Sequence, residues 1–282
     1  MSERLDIRAM TRQEVHLAVD WADREGWNPG LHDATVFHGA DPEGFLIARL
    51  GNEPVAVCSA VRHGDAFGFF GFYIVAPHRR GQGHGLTLWQ AAMQRLKGRV
   101  VGLDGVVAQQ HNYARSGFVL AYRQVRYAGR SKAVADHDKG LRPLHDLPPE
   151  QWLKYDRLCF PSERRAYIEP WVRQPGTVAL ALVDGAGLCG YGAIRPCRRG
   201  FKVGPLFADD AAAAERLLRG LQGAVPPGAE VFLDVPMVNR EALALAERQG
   251  MTPVFETARM YAGAAPGIDT ARQFGVTSFE LG

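Results

Sequence analysis

The sequence predicts an α/β (α+β) protein made of two tandem copies of one fold, each a mixed, mostly antiparallel sheet flanked by helices. Strand-like and helix-like hydrophobic patterns occur in the same order in both halves of the 282-residue chain. A polar, proline-containing stretch near residues 129–150 separates the two series. We therefore predict domains over residues 1–130 and 151–282, joined by a linker over 131–150.

The first half begins with a helix whose start is marked by Thr11 and Glu14, which have the spacing of a capping box. A hairpin follows, with a turn at residues 51–53. Helices are predicted over residues 11–25, 86–96 and 111–116, and strands over residues 44–50, 54–62, 67–76, 100–107 and 118–127.

The second half repeats this order from a hairpin that turns at residues 184–185. Strands are predicted over 177–183, 187–195, 201–207, 230–235 and 254–261, and helices over 210–221 and 240–249. Residue identities also recur at a constant separation of 133, in the pairs Arg62 and Arg195, Gly71 and Gly204, Gly117 and Gly250, and Arg126 and Arg259. The repetition favours an internal duplication over chance similarity.

Composition excludes several classes of protein. The net charge of +3 gives no strong basic excess, so no nucleic-acid partner is expected. No apolar run approaches the roughly 20 residues that cross a bilayer, and residues 1–15 do not have the apolar segment of a secretory signal. The four cysteines have no metal-site spacing. We expect a cytoplasmic protein without metal and without membrane contact.

The clearest chemical signal is the segment from Arg79 to Gly85, which follows an apolar strand and precedes an amphipathic helix. Its three glycines permit positive φ angles and close approach of a ligand. The free amides at the start of a helix attract a pyrophosphate. The loop motif of nucleoside triphosphatases and the dinucleotide-binding motif are both absent from the chain.

The spacing Arg80-x-x-Gly83-x-Gly85 resembles the R/Q-x-x-G-x-G/A signature of the GCN5-related N-acetyltransferases (GNAT family). The resemblance covers residues 4–127 and implies a GNAT fold with acetyl-CoA as cosubstrate. The whole chain resembles a tandem-GNAT protein with an EGWNPG segment in its first half. By this resemblance the coenzyme contacts the preceding strand and the loop, that is, Tyr73, Ile74, Val75, Arg80, Gly81, Gln82, Gly83, His84 and Gly85.

A second family motif places a tyrosine beside the thioester sulfur. Here Tyr113-x-x-x-Gly117-Phe118 retains the tyrosine, glycine and phenylalanine, whereas the upstream asparagine and alanine positions hold Val106 and Gln109. The resemblance implies that Tyr113 is the general acid that protonates the coenzyme A thiolate. The alternative is a half-buried aromatic side chain that only joins a helix to the core.

The second half has lost both features. Ala246 occupies the tyrosine position, and the counterpart of the loop, residues 207–215, has no glycine but contains Asp209, Asp210 and Glu215. Carboxylates at a helix N-terminus repel a pyrophosphate. We therefore predict that the second half does not bind coenzyme A, and that it covers the acceptor side of the first half, packs or dimerises.

The proton acceptor for the attacking amine is not evident from the sequence. The central strand has no acidic residue, and His63, His111, Asp104 and Asp33 remain as candidates. The segment 21–33 is expected to meet the acceptor because such loops frame the substrate channel in this fold. Within it, Trp27, Asn28 and Asp33 are the predicted substrate contacts, and the alternative for each is a structural role.

These observations predict an N-acetyltransferase that moves an acetyl group from acetyl-CoA to a primary amine by direct attack in a ternary complex. The acceptor is expected to be a small-molecule amine or a peptide, and a homodimer is possible. The alternative is a non-catalytic acyl-CoA-binding sensor or regulatory protein. Tyr113 separates the two hypotheses, since a sensor does not need a proton donor at the thioester.

Overall fold

A computed structural model describes residues 4–133, 138–185 and 187–282, so residues 134–137 of the predicted linker lie outside the described part. The first half contains, in chain order, β1 (Leu5–Ala9), α1 (Arg12–Arg24), α2 (Asp33–Ala40), β2 (Phe45–Leu50), β3 (Glu53–His63), β4 (Phe67–Val75), α3 (His84–Arg95), β5 (Val100–Val106), α4 (Gln110–Arg115) and β6 (Val119–Arg130).

The second half has the same succession of strand, two helices, hairpin, strand, helix, strand, helix and strand. Its elements are β7 (Leu141–Pro143), α5 (Pro149–Cys159), α6 (Arg165–Trp171), β8 (Val178–Asp184), β9 (Gly187–Pro196), β10 (Phe201–Ala208), α7 (Ala211–Gly223), β11 (Glu230–Pro236), α8 (Arg240–Arg248), β12 (Thr252–Ala262) and β13 (Gln273–Gly275).

Most predicted elements are present, and the capping box of α1 forms in both directions between Thr11 and Glu14. The structure adds α2, α5 and α6, which the hydrophobic pattern does not predict. Helix α2 buries Asp33 and Ala34 as well as Val36 and Phe37, so it lacks the polar stripe of a surface helix. Because β7 and the start of α5 fall between residues 141 and 150, the end of the predicted linker belongs to the folded protein.

The described strands form one continuous sheet of thirteen strands in which the two halves exchange their last long strands. Strand β12 of the second half pairs with β5, and strand β6 of the first half pairs with β11. Among the described strands, only the β4–β5 and β10–β11 pairs are parallel. The domain bounds predicted above therefore describe order along the chain and not two separate bodies.

Reciprocal buried ion pairs accompany this exchange. Arg126 of β6 donates to both carboxylate oxygens of Asp234 on β11 at 2.6 and 2.8 Å. Its repeat counterpart, Arg259 of β12, donates to both oxygens of Asp104 on β5 at 2.7 and 2.6 Å. Arg126 and Arg259 thus each pair with an aspartate from the other half, which is consistent with duplication followed by strand exchange.

Helices cover both faces of the sheet. Helices α1, α2, α5 and α6 pack on one face in a single hydrophobic core drawn from both halves. On the other face, α3 covers the first half, and α7 with α8 covers the second. No helix in the described ranges is long and apolar enough to cross a membrane.

The C-terminal segment crosses the centre of the sheet beside two glycines of the repeat. A Cβ atom at Gly204 would lie 2.6 Å from the carbonyl oxygens of Val276 and Thr277, and one at Gly71 would lie 2.3 Å from the carbonyl oxygen of Glu280. Any larger residue would push the segment away. Gly71 and Gly204 therefore permit the close approach of backbone that brings this segment against the first half.

Candidate active site

A cavity of about 590 Å³ lies where β4 and β5 diverge. The two strands are paired in parallel only from Phe67 to Phe70 and from Val100 to Leu103. Beyond this point the ends of β4 and β5 form opposite walls, and the loop before α3 closes one end. The opening is a consequence of local strand geometry, since β4 bends away at a bulge.

The bulge lies at Phe72 and Tyr73, between the paired residues Gly71 and Ile74, where the register against β3 shifts. Phe72 has a φ angle of 49°, which is uncommon for a side chain of this size. A bulge leaves backbone groups of one strand without ladder partners. Tyr73, Ile74 and Val75 all line the cavity, so backbone amides near the bulge can face a bound carbonyl oxygen.

The glycine loop forms the mouth of the cavity. Gly81 and Gly83 have φ angles of 76° and 84°, and Gly83 directly precedes α3. A Cβ atom at Gly85 would lie 2.7 Å from the hydroxyl of Tyr73 and 2.8 Å from a methyl group of Val75. The backbone at the start of α3 is therefore packed tightly on the end of β4, with its amides available to an anion.

The other loop residues take different positions. Arg80 donates to the carbonyl oxygen of Val75 at 3.1 Å and forms an ion pair with Glu25 at the mouth. His84 lines the cavity, and its Nε2 atom is buried without a hydrogen-bond partner among the described residues. The side chain of Gln82 instead donates to the carbonyl oxygen of His78 at 3.1 Å, outside the cavity lining.

Tyr113 lies on the β5 wall, opposite the bulge. Its ring stacks on Trp89 at a centroid distance of 5.7 Å, and an added Cβ atom at Gly105 would lie only 2.3 Å from the ring. The residue is 8% exposed, and burial, together with the nearby Tyr73, raises the pKa of its phenol. The hydroxyl therefore remains protonated near neutral pH and can donate a proton.

The far end of the cavity contains residues of the second half that no motif of the sequence marks. Strand β12 contributes Phe255 and Thr257, and the C-terminal segment contributes Phe279 and Glu280. Trp27, one of the predicted substrate contacts, also lines this cavity. These contributions depend on strand exchange and on the path of the C-terminal segment, and no local sequence motif signals either feature.

Arg126 also lines the cavity at this wall. Its guanidinium lies 5.0 Å from the ring centroid of Phe279 and 5.9 Å from that of Phe255. It also donates to the carbonyl oxygen of Trp27 at 2.6 Å. Burial opposes ionisation of Asp234, but Arg126 nevertheless holds the pKa of that carboxyl below its ordinary value. This wall is therefore aromatic, and the charge of its buried arginine is already balanced by the Asp234 carboxylate.

Asn28 and Asp33 do not reach the cavity, so the prediction that they contact the acceptor is not met in this geometry. The side-chain amide of Asn28 donates to the carbonyl oxygen of Arg199 at 2.9 Å and accepts from its amide at 2.8 Å. Asp33 is fully buried and accepts from Arg195 at 2.9 and 3.0 Å. Both side chains join the segment after α1 to the second half.

The candidate proton acceptors also do not come together in the cavity. His63 is 4% exposed and packs between Phe67 and Phe160, and burial together with Arg164 lowers its pKa to about 3. His111 is exposed and does not line the cavity. Asp104 lines it, but Arg259 and Gln124 both donate to its carboxylate. None of these side chains is both in the cavity and free.

At the corresponding helix, the second half has carboxylates in place of the glycine loop. Asp210 caps α7 by accepting from the amide of Ala213 at 2.8 Å, and Asp209 is paired with Arg272. A carboxylate thus already occupies the helix N-terminus where the first half has glycine. Ala246 is fully buried in the core of this half. Among the described residues, no cluster of His, Cys, Asp and Glu is arranged to hold a metal ion.

Both halves match models of known families. The model described as acetyltransferase (GNAT) family matches residues 11–118, and one described as acetyltransferase (GNAT) domain matches residues 152–275. A curated relative, holothin acyltransferase from Pseudoalteromonas sp. (strain SANK 73390), is 31% identical over 100% of both chains.

Solved structures share the whole arrangement. A putative acetyltransferase from Pyrococcus horikoshii superimposes with a TM-score of 0.83 and 22% identity over 99% of this chain and 96% of its own. A tandem GNAT protein from the clavulanic acid biosynthesis pathway gives a TM-score of 0.64 and 15% identity over 93% of this chain and 100% of its own. At these identities the likeness shows the fold.

Proposed function

The chain belongs to the GNAT acetyltransferase family and is an acyltransferase, and on this basis we propose that it transfers an acetyl group from acetyl-CoA to a primary amine. The observation that carries the proposal is the composition of one cavity. The glycine loop, the bulge of β4, Tyr113 and an aromatic wall from the second half all line it. An anion site, a carbonyl site, a proton donor and an acceptor pocket therefore adjoin one another.

The loop fits the pyrophosphate of the coenzyme. Positive φ angles at Gly81 and Gly83 turn the backbone into the start of α3, and the helix dipole adds positive potential there. Arg80 is 52% exposed in its side chain and can exchange Glu25 for a phosphate oxygen. The coenzyme supplies the thioester when bound, and the amides near Tyr73 and Val75 polarise its carbonyl.

Tyr113 acts in this proposal as the donor of a proton to the departing thiolate. An ordinary thiol has a pKa of roughly 8.5 and a tyrosine one of roughly 10, so the transfer is close to balanced. Burial raises the pKa of Tyr113, and the same desolvation disfavours a thiolate beside it. The pKa values of the proton donor, Tyr113, and of the proton acceptor, the thiolate, are therefore both raised.

The acceptor is proposed to be a small amine that carries an aromatic or other flat apolar group. Trp27, Phe255 and Phe279 offer aromatic surface at the far end of the cavity. The Pseudoalteromonas relative is named for the acylation of holothin, which supports acyl transfer to a compound rather than to a nucleic acid.

Release of free thiol from acetyl-CoA in the presence of a mixed panel of amines tests the proposal. Tyr113→Phe is expected to lower kcat by about 100-fold while the KM for acetyl-CoA changes little, because only the proton donor is lost. Tyr127→Phe is the matched control, since Tyr127 is a buried tyrosine of the second core. Binding of acetyl-CoA without turnover of any amine would favour the sensor.

A further inference from the structure

Three carboxylates line the cavity, namely those of Glu25, Asp104 and Glu280. Glu25 is paired with Arg80 at the mouth, and Asp104 accepts hydrogen bonds from Arg259 and Gln124. Glu280 differs, because its Oε2 atom is buried without a hydrogen-bond partner among the described residues. The residue is only 4% exposed. A buried carboxylate oxygen without a donor indicates a missing partner.

The position of Glu280 is fixed by backbone packing. Its carbonyl oxygen would lie 2.3 Å from a Cβ atom at Gly71, and Gly71 directly precedes the bulge at Phe72. Glu280 therefore lies in the cavity lining beside the strand segment where the thioester carbonyl is proposed to bind. Phe279, the preceding residue, contributes to the aromatic wall of the acceptor end.

Buried cations lie close to this carboxyl group. Arg126, Arg195 and Lys202 are buried and lie within electrostatic range of Glu280. Asp234 neutralises Arg126, and Asp33 neutralises Arg195, whereas Lys202 donates at 2.9 Å to a neutral carbonyl oxygen, that of Asn28. Glu280 is therefore the third acidic residue beside three buried cations.

We propose that Glu280 accepts the proton that the ammonium group of the acceptor loses before attack, a role that rests on the proposed acetyl transfer. The proton moves from nitrogen to the carboxylate and then to solvent. The neutral amine forms the C–N bond as the C–S bond breaks. Tyr113 protonates the sulfur, and the proton left on the acylated nitrogen returns to its phenolate. One proton is released for each amide formed, so the balance closes.

This role predicts that loss of Glu280 harms only acceptors that arrive as ammonium ions. The probes are two aromatic amines, benzylamine, which is protonated at neutral pH, and aniline, which is not. Glu280→Gln is expected to lower kcat/KM for benzylamine about 100-fold and that for aniline by no more than about threefold. A role confined to neutralising the buried cations would slow both amines alike.

Two further variants keep the test decisive. Glu280→Asp retains the charge and is expected to acylate benzylamine faster than Glu280→Gln does. His84→Gln removes another unpartnered buried atom of the lining, and is expected to change kcat/KM for the two amines equally. The affinity for acetyl-CoA, measured by calorimetry, should be within about threefold of wild type in Glu280→Gln, because the loop is intact.

The outcomes separate this inference from the proposed function. Wild-type turnover of the amine panel with equal losses for benzylamine and aniline in Glu280→Gln overturns the role of Glu280 and leaves the acetyltransferase proposal in place. Unchanged benzylamine turnover in Glu280→Gln does the same. No thiol release by the wild type with any amine overturns the proposed function, and the role of Glu280 with it.

Discussion

At the residue scale, a local sequence motif identifies some residues of the site. Other residues of the site have no such motif. The loop from Arg80 to Gly85 is a contiguous motif, and the structure gives it the backbone angles that its glycines permit. Tyr113 is marked by its spacing to Gly117 and Phe118. Glu280 has no such mark, because its place depends on the path of the C-terminal segment across Gly71.

Asp33 and Asn28, which do not take their predicted place in the cavity, show the same limit of local sequence. Asp33 reads from the sequence as a polar residue in a loop, but it is the buried partner of Arg195, 162 residues away. Asn28 is held by the backbone of Arg199 in the same way. A charge pattern cannot distinguish a substrate contact from an ion pair whose partner is remote in sequence, because both place a carboxylate beside apolar residues.

Gly85 provides a prediction at this scale. In Gly85→Ala, the added methyl group would meet the Tyr73 hydroxyl and Val75 at less than 3 Å, and would separate the loop from the end of β4. We expect the dissociation constant for acetyl-CoA to rise about tenfold, which corresponds to roughly 1.4 kcal/mol. Isothermal titration measures it.

The control is Gly39→Ala in α2, where an added Cβ atom has no neighbour within 4 Å. Alanine is the better helix former, so this variant should keep its affinity and gain up to about 1 kcal/mol of stability. Equal affinities in the two variants would show that the coenzyme does not rely on the backbone at Gly85.

At the element scale, the hydrophobic pattern locates β6 and β12 but does not say which neighbours they pair with. Both strands end a half with the same pattern, so pairing within a half and exchange between halves bury similar apolar surface. The buried pairs Arg126–Asp234 and Arg259–Asp104 accompany the exchanged arrangement. Their partners lie in different halves, and the pairing is therefore visible only in three dimensions.

Asp234→Asn tests how much this exchange depends on its ion pairs. It removes the negative partner of Arg126, whose side chain is 4% exposed, and should lower the free energy of unfolding by about 3–5 kcal/mol. Asp138→Asn breaks the exposed pair with Arg216 and should cost at most about 1 kcal/mol. Urea unfolding compares the two, and similar losses would contradict a special role for the buried pair.

At the scale of the whole molecule, the two halves divide the work at one site. The first half provides the loop, the bulge and Tyr113, and the second half provides β12 and the C-terminal segment. The corresponding helix N-terminus of the second half is capped by Asp210, so it offers an anion a carboxylate instead of free amides. Duplication has therefore produced one shared cavity instead of two equal ones.

The number of coenzyme sites tests this division of work most directly. Isothermal titration of the full chain with acetyl-CoA should give one site per chain, and Gly85→Ala should weaken that site. Two sites per chain would contradict the account, because the second half would then bind coenzyme despite its acidic helix N-terminus. A single site insensitive to the loop variant would equally contradict it, because the coenzyme would then lie elsewhere.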